Sequence, residues 1–254
     1  MSAPPESFWA ALPFGRGVTL LAHDGNGVAA LNKPAGVLSH PNERGEEARA
    51  LLAAPYVFEG EFFEWAPAGG REPQRLWLLN RLDSATSGVI LAAADPKLAA
   101  EIRAQFKRKV VRKVYSALVF GAPRQPQEVW RDRLSVEKRA GQIRTAARAG
   151  HVPAESRMIV VRTSRGEPRL TLVRLEPRTG RSHQLRVQCA KRNLPIVGDQ
   201  TYGDFRRNRE FAKSAGTKRL FLHSMETAFE YEFGGRKYSF TAAAPLPPEF
   251  EKVV

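Results

Sequence analysis

The polar stretch Asn80-Arg81-Leu82-Asp83-Ser84-Ala85-Thr86-Ser87-Gly88 lies between two apolar runs of strand length, Arg75–Leu79 and Val89–Ala93. That arrangement puts Asp83 where a sheet edge meets solvent, a position that suits reactive side chains because a rigid scaffold holds the loop in place. A carboxylate there can act as nucleophile or general base if it stays ionised in a partly dry pocket. The same residue can instead be a turn former that accepts a backbone N–H. Spacing leaves both roles open.

Other familiar chemistries find no support. Gly25-Asn26-Gly27 with Ala30 matches a dinucleotide fingerprint, but Pro34 arrives before the required helix could form, so the segment reads as a hairpin turn. No G-x-x-x-x-G-K-[ST] loop is present for ATP. The histidines at 23, 40, 151, 183 and 223 never fall at H-E-x-x-H spacing, and Ser87 is not in a G-x-S-x-G elbow. With a single cysteine, Cys189, there is no internal disulfide and no paired-cysteine metal site. Catalysis, if any, is pushed toward chemistry that needs neither metal nor nucleotide.

Charge narrows the partner. Lys+Arg 40 against Asp+Glu 26 gives +14 over 254 residues, with arginine the main cation. Clustered Lys and Arg release counterions from phosphate backbones, and the planar guanidinium suits phosphate oxygens and base edges. Nucleic acid is therefore the expected partner. The longest apolar run, Val89 to Ala94, falls far short of the ~20 residues of a membrane helix. Met1 to Phe8 shows no basic-then-apolar signal pattern, so a cytoplasmic protein without a membrane partner is expected.

These side chains must be positioned by short elements. Val18–Ala22, Val28–Leu31, Arg75–Leu79, Val89–Ala93, Val110–Phe120, Met158–Val161, Leu170–Leu175, Arg219–His223 and Tyr238–Ala242 read as strands. Lys97–Lys107 reads as an amphipathic helix, and Ser182 is placed to cap a second helix ending near Arg192. Residues 42–74 read as a loop region with one helical stretch near Glu46–Leu52, and 121–168 as Arg-, Gly- and Pro-rich. Strands outnumber helices and most connections are too short for βαβ crossovers, so the fold class is α+β with a mixed, largely antiparallel sheet and flanking helices. Residues 1–15 read as a tail or loosely docked segment, and 16–254 as one catalytic domain.

Four ordered motifs carry a resemblance. They are Leu31-Asn32-Lys33-Pro34-Ala35-Gly36-Val37 through His40-Pro41, Asn80-Arg81-Leu82-Asp83-x-x-Thr86-Ser87-Gly88, Lys113-Val114-Tyr115-Ser116-Ala117-Leu118-Val119-x-Gly121, and Leu175-x-Pro177-x-Thr179-Gly180-Arg181-Ser182-His183-Gln184-Leu185-Arg186-Val187 with Pro195-Ile196-Val197-Gly198-Asp199 after it. Over roughly residues 18–243 the chain resembles the RluA family of RNA pseudouridine synthases. Gly198-Asp199-x-x-Tyr202-Gly203-Asp204-x-Arg206-x-Asn208-Arg209 is similar to the branch that includes tRNA pseudouridine synthase C. The resemblance implies the pseudouridine synthase fold and an isomerase that cuts the N1–C1′ bond of a uridine, turns the base and rejoins it through C5, with no cofactor and no metal. It implies tRNA or rRNA as partner and a chain acting as a monomer, without an N-terminal S4-type RNA-binding domain.

The resemblance also implies roles. Asp83 matches the essential aspartate; whether it attacks C1′, attacks C6 or removes the 2′ proton stays open. Arg186 matches the arginine that pairs with it, with Arg181 the other choice in that motif. Tyr115 matches a tyrosine that stacks on the target base and is placed to help remove the C5 proton. Arg81 matches an arginine that holds RNA and fills the gap left by the extruded uridine. Asn80, His183, Leu185 and Lys113 complete the substrate-binding set, Leu185 as pocket wall or core. Lys107-Arg108-Lys109-x-x-Arg112-Lys113 and Arg206, Arg207 and Arg209 are candidate phosphate-contact patches. The family usually has His at the position of Asn80 and often at that of Gln188, departures read here as changes in pocket or RNA contacts. They motivate an alternative, a non-catalytic RNA-binding or RNA-chaperone protein that keeps the fold.

Overall fold

Ser87–Ala93 carries the most continuous apolar run of the sequence, and every residue in it is buried. A strand that reads this way is covered on both faces. The computed structural model describes residues 4–66, 72–139, 142–146 and 151–252, with the backbone alone for 136–139 and 142–146. In chain order the elements are α1 (Glu6–Ala10), β1 (Thr19–His23), β2 (Val28–Lys33), a 3-10 turn at Glu47–Arg49, β3 (Tyr56–Val57), β4 (Phe62–Trp65), β5 (Gln74–Leu78), β6 (Ser87–Ala93) and α2 (Pro96–Arg108). There follow β7 (Arg112–Phe120), β8 (Gln127–Arg139), β9 (Gln142–Ala146), β10 (Val152–Thr163), β11 (Leu170–Pro177), α3 (Gln184–Lys191), α4 (Phe205–Ala215), β12 (Leu222–Phe233), β13 (Arg236–Ala243) and α5 (Pro248–Glu251). The class is α+β, as the sequence predicts.

The chain divides into two compact units, one of Met1–Val111 with Glu226–Ala244 and one of Arg112–Met225 with Pro245–Val254. In the first, β3, β4, β5, β6, β2 and β1 pair antiparallel in that order, and β12 pairs with β13. The Gly25-Asn26-Gly27 match is a hairpin turn: Asp24 Oδ1 accepts from the N–H groups of Asn26, Gly27 and Val28 at 2.9–3.0 Å. Helix α2 starts at Asp95, whose carboxylate accepts from Lys97 N and Leu98 N, with Pro96 in the first turn. It buries Leu98, Ala99 and Ile102 against Val89, Leu91, Phe229 and Phe240. Residues 1–15, set apart in the sequence, include α1, on which Phe8 and Trp9 are buried.

In the second unit β7, β11, β10, β8 and β9 follow one another, each pair antiparallel. Here the reading of 121–168 falls short, since β8 and β10 form a long ladder where one short strand was expected. Residues 42–74 likewise hold β3 and β4 where a loop was expected. Helix α4 was not anticipated, and the last but one strand starts at Leu222 and runs to Phe233 rather than ending at His223. Helix α3 begins one residue later than a Ser182 cap would place it. Its N-cap is His183, in the left-handed region at φ 55° and without a side-chain cap bond.

Between α3 and α4 the chain makes a tight crossing. Phe120 N donates to Pro195 O, Val197 N to Leu118 O, and Phe221 N to Val197 O. Gly198 follows at φ +79°, and a Cβ on it would stand 1.8 Å from the Arg219 carbonyl oxygen. Only glycine fits such a point. Replacing Gly198 with Ala is expected to lower the unfolding free energy by about 3 kcal/mol or more, read as a fall in the urea midpoint; a midpoint unchanged within error would contradict this.

Candidate active site

The loop that carries Asp83 is fastened from below. Lys33, at the end of β2, is wholly buried, and its Nζ donates to the carbonyls of Val37 (2.6 Å), Ser84 (2.9 Å) and Pro34 (3.1 Å). Burial pushes its amine down to about 7, and the negative charge of Asp83 pulls it back up. Ser39 adds a second tie: its Oγ donates to Leu82 O at 2.7 Å and accepts from Leu82 N at 3.0 Å. Gly36 N donates to Ser84 O, and Thr86 N to Asp83 O. Asp83 itself is half-buried and Arg81 is exposed. Lys33 lies in the first of the four motifs, which imply no role for it; a lysine closing an apolar strand is its signal in the sequence.

Asn80, expected on the substrate, has a scaffolding contact. Its Oδ1 accepts from Leu91 N at 2.8 Å, so the side chain secures the loop to β6. A histidine there would need an unprotonated ring nitrogen to do the same.

The remaining expected residues lie in the second unit. Tyr115 sits on β7 opposite Leu175 of β11 and is half-buried. Lys113 is two residues earlier, on the same face of the strand. A Cβ on Gly180 would lie 3.6 Å from Lys113 Nζ, so that amine stands beside the loop leading to α3. Burial pushes it down to about 8. Arg181 is exposed and Leu185 buried. Gln184, wholly inside, organises the loop: its Oε1 accepts from Thr179 Oγ1 (2.7 Å) and Arg181 N (3.1 Å), and its Nε2 donates to Glu155 O and Ser156 Oγ.

Arg186 is buried and forks onto Asp199, with Nε to Oδ2 and Nη2 to Oδ1 both at 2.8 Å. The sequence named Asp83 as the partner of this arginine, and Asp199 had no assigned role. Burial raises the Asp199 carboxyl, but the Arg186 hydrogen bonds and charge, with the N–H groups of Tyr202 and Thr201, outweigh it and hold the group below its ordinary value. The Arg186 guanidinium also lies 5.1 Å from the centre of the Tyr202 ring, whose hydroxyl is 2.8 Å from His183 Nδ1. Arg186, Asp199, Tyr202 and His183 thus form one polar group at the start of α3.

Gln188 corrects the reading that put it in a pocket or on RNA. It is fully buried, and its amide accepts from Ser156 Oγ (2.6 Å) and donates to Asp132 Oδ2 (2.9 Å), itself bound by Lys191 and Arg192. The arginine patch at 206–209 falls on α4, where Arg206 pairs with Glu210 and Arg207 with Asp204. Lys107 and Arg108 occupy the last turn of α2, where cations complement the helix dipole. Among the described residues no cluster of His, Cys, Asp or Glu could hold a metal ion.

Comparison with known proteins shows the family to which the chain belongs. A family model described as RNA pseudouridylate synthase matches residues 27–191. The chain belongs to this family. RNA pseudouridylate synthases are isomerases acting on uridine in RNA, and this protein is an enzyme of that kind. It is 30% identical over 227 residues to tRNA pseudouridine synthase C of Yersinia pestis, covering 85% of this chain and 82% of that protein. It is 31% identical over 236 residues to ribosomal large subunit pseudouridine synthase C of Vibrio vulnificus, covering 92% and 68%. Among solved structures, Human RNA Pseudouridylate Synthase Domain Containing 4 matches with TM-score 0.66 at 22% identity (96% of this chain, 93% of that one). Human RNA Pseudouridylate Synthase Domain Containing 1 matches at 0.65 and 21% (91% and 85%). The synthase fold expected from the motifs is thereby found.

A pH signature follows from the Arg186–Asp199 fork. The carboxyl of Asp199 is held below its ordinary value of 3.8 when folded, so its contribution is complete above about pH 4 and is lost as acid protonates it. Asp199→Asn is expected to lower the unfolding free energy by about 3 kcal/mol at pH 7, and the gap from wild type should begin to narrow below about pH 4 and shrink steadily as the pH falls further toward the lower folded-state value. Urea titrations at neutral pH and through the acid range test this; a gap that does not narrow in acid would contradict it.

Proposed function

We propose that the protein isomerises specific uridines of structured RNA, tRNA or rRNA, and that Asp83 is the group without which no turnover occurs. In that reading it acts as a cytoplasmic monomer on an RNA held by its own basic surface. The reaction is balanced within the uridine: the N1–C1′ bond breaks, a C5–C1′ bond forms, C5 gives up its proton and N1 gains one. Asp83 serves as nucleophile or base, Arg186 supplies the positive charge that keeps it ionised, and Tyr115 stacks on the base and assists proton removal at C5. Arg81, two residues before Asp83 and exposed, takes the RNA strand from which the uridine has been extruded. Arg181, His183 and Lys113 contribute to holding the substrate.

The observation that carries this reading is the way the loop is built. A buried ammonium and a buried hydroxyl bind the backbone on both sides of Asp83, at Leu82 and Ser84, while Asp83 stays half-exposed. Preorganised support around an accessible carboxylate suits a reacting group better than a turn former. The alternative of a binding protein without chemistry drew on Asn80 and Gln188, and both have contacts that serve the scaffold. Among the described residues no helix is long and apolar enough to cross a membrane.

The purified protein is expected to release tritium from bulk tRNA or rRNA carrying uridine labelled at C5, without added metal or cofactor. Asp83→Asn should abolish release while RNA binding stays within about tenfold of wild type, since one charge on a basic surface changes the phosphate attraction little. Release that survives in Asp83→Asn would overturn the proposal.

A further inference from the structure

Beside the Asp83 loop the first unit displays aromatic rings that core packing does not account for. His40 directly follows Ser39, the residue tied to Leu82. Its ring stacks on Tyr56 with centroids 4.6 Å apart and planes 9° from parallel. Its Nδ1 lies 2.8 Å from the Pro41 carbonyl, which only accepts, so Nδ1 carries the proton and the ring is fixed in place. Phe58 meets both rings edge to face, at 5.6 Å from His40 and 5.3 Å from Tyr56, yet is itself 52% exposed. Phe63, fully buried, backs Tyr56 at 5.0 Å. The cluster is thus anchored in the core at one end and open at the other.

Its surroundings select the occupant. The positive charge of Arg81, exposed two residues before Asp83, acts on the Tyr56 hydroxyl, as does that of Arg103. Burial and the charge of Glu61 together push that hydroxyl up to about 12, so it remains a neutral hydrogen-bond donor at every working pH. The Glu61 carboxylate is paired with Arg103 at 3.5 Å, so it does not repel an incoming anion as a free acid would. Aromatic faces beside a guanidinium are the arrangement that binds single-stranded RNA, with rings taking bases and the cation taking phosphate. A protein docking on Phe58 would want a wider apolar surface, whereas Phe58 is followed directly by Glu59, Gly60 and Glu61 in sequence.

We propose that Phe58, with His40 and Tyr56 behind it, is a stacking platform for one unpaired nucleobase flanking the uridine presented to Asp83, with Arg81 on the connecting phosphate. The inference rests on the reading of Asp83 as the reacting group and deepens it. The enzyme then selects uridines that have an unstacked neighbour, which favours loops over duplexes.

The test uses a short hairpin RNA with 2-aminopurine beside a uridine in its single-stranded loop, and a blunt duplex of similar length as control. Stacking on an aromatic ring quenches the 2-aminopurine fluorescence. Phe58→Ala and Phe58→Leu are each expected to weaken hairpin binding roughly 5- to 30-fold and to lose most of the quenching, while Phe58→Trp retains both. Duplex binding should move less than about twofold. Unfolding curves of the variants separate loss of stacking from loss of fold, and Leu preserves the apolar bulk if Ala proves unstable. Wild-type binding by Phe58→Leu, or an equal loss on the duplex, would overturn the proposal. Tritium release measured on the same wild-type preparation keeps the two readings apart: a protein that binds as described but does not turn over refutes the Asp83 chemistry and leaves the platform standing.

Discussion

A buried ammonium with carbonyls converging on it sets the geometry of the first unit. Lys33 is buried away from solvent, so its amine hydrogens are satisfied only while the backbone oxygens of Pro34, Val37 and Ser84 stay where they are. That requirement works in reverse on the chain, because moving the loop around Asp83 would strip the ammonium of partners. The segment after β2 and the segment before β6 are therefore locked together at their most polar point, with the Ser39 hydroxyl doing the same beside Leu82. The second unit relies on the same device with opposite sign. Asp199 is almost completely buried and is held by the Arg186 fork and by the N–H groups of Thr201 and Tyr202. In each unit a desolvated polar side chain, Lys33 in one and Asp199 in the other, ties down a loop of the candidate site.

This use of inward polar groups explains what the sequence disclosed and what it hid. Strands of simple patterning were plain: β6 is an apolar run, and α2 has a capping Asp95, Pro96 and a clean apolar stripe. The long ladder of β8 with β10 was not, although Trp130 and Leu134 alternate inward, because Asp132 lies between them on the same face. An acid at an inward position breaks the period that marks a strand. It is stable there because Gln188, Lys191 and Arg192 converge on it from α3 and its end, a contact that separations of 56 to 60 residues conceal. Helix α4 was masked in the same way. Asn208 is buried, with its Oδ1 accepting from Gly198 N and its Nδ2 donating to Asp199 O, so the inward face of an arginine-rich segment does not look apolar.

The candidate site was legible in its residues and not in their supports. Asp83, Tyr115 and Arg186 stand out by type and order along the chain. Asp199, Gln184 and Lys33 act through partners distant in sequence (the Arg186 side chain, the Glu155 carbonyl with Ser156, and the Ser84 carbonyl), and residue type alone does not reveal such pairings. Gln188 shows the opposite error. A departure from the expected histidine suggested altered function, yet its amide satisfies Ser156 and Asp132 inside the unit. A position can thus be near a functional motif in sequence and belong entirely to the packing beneath it.

Cys189 is wholly buried on α3, and burial raises its thiol so far that the reactive thiolate is scarce at neutral pH. As the chain has no other sulfhydryl, its surface is silent toward maleimides and spin-label reagents. A fluorophore or nitroxide can therefore be placed at any chosen exposed position through one introduced cysteine, with the native residue left in place and contributing no background.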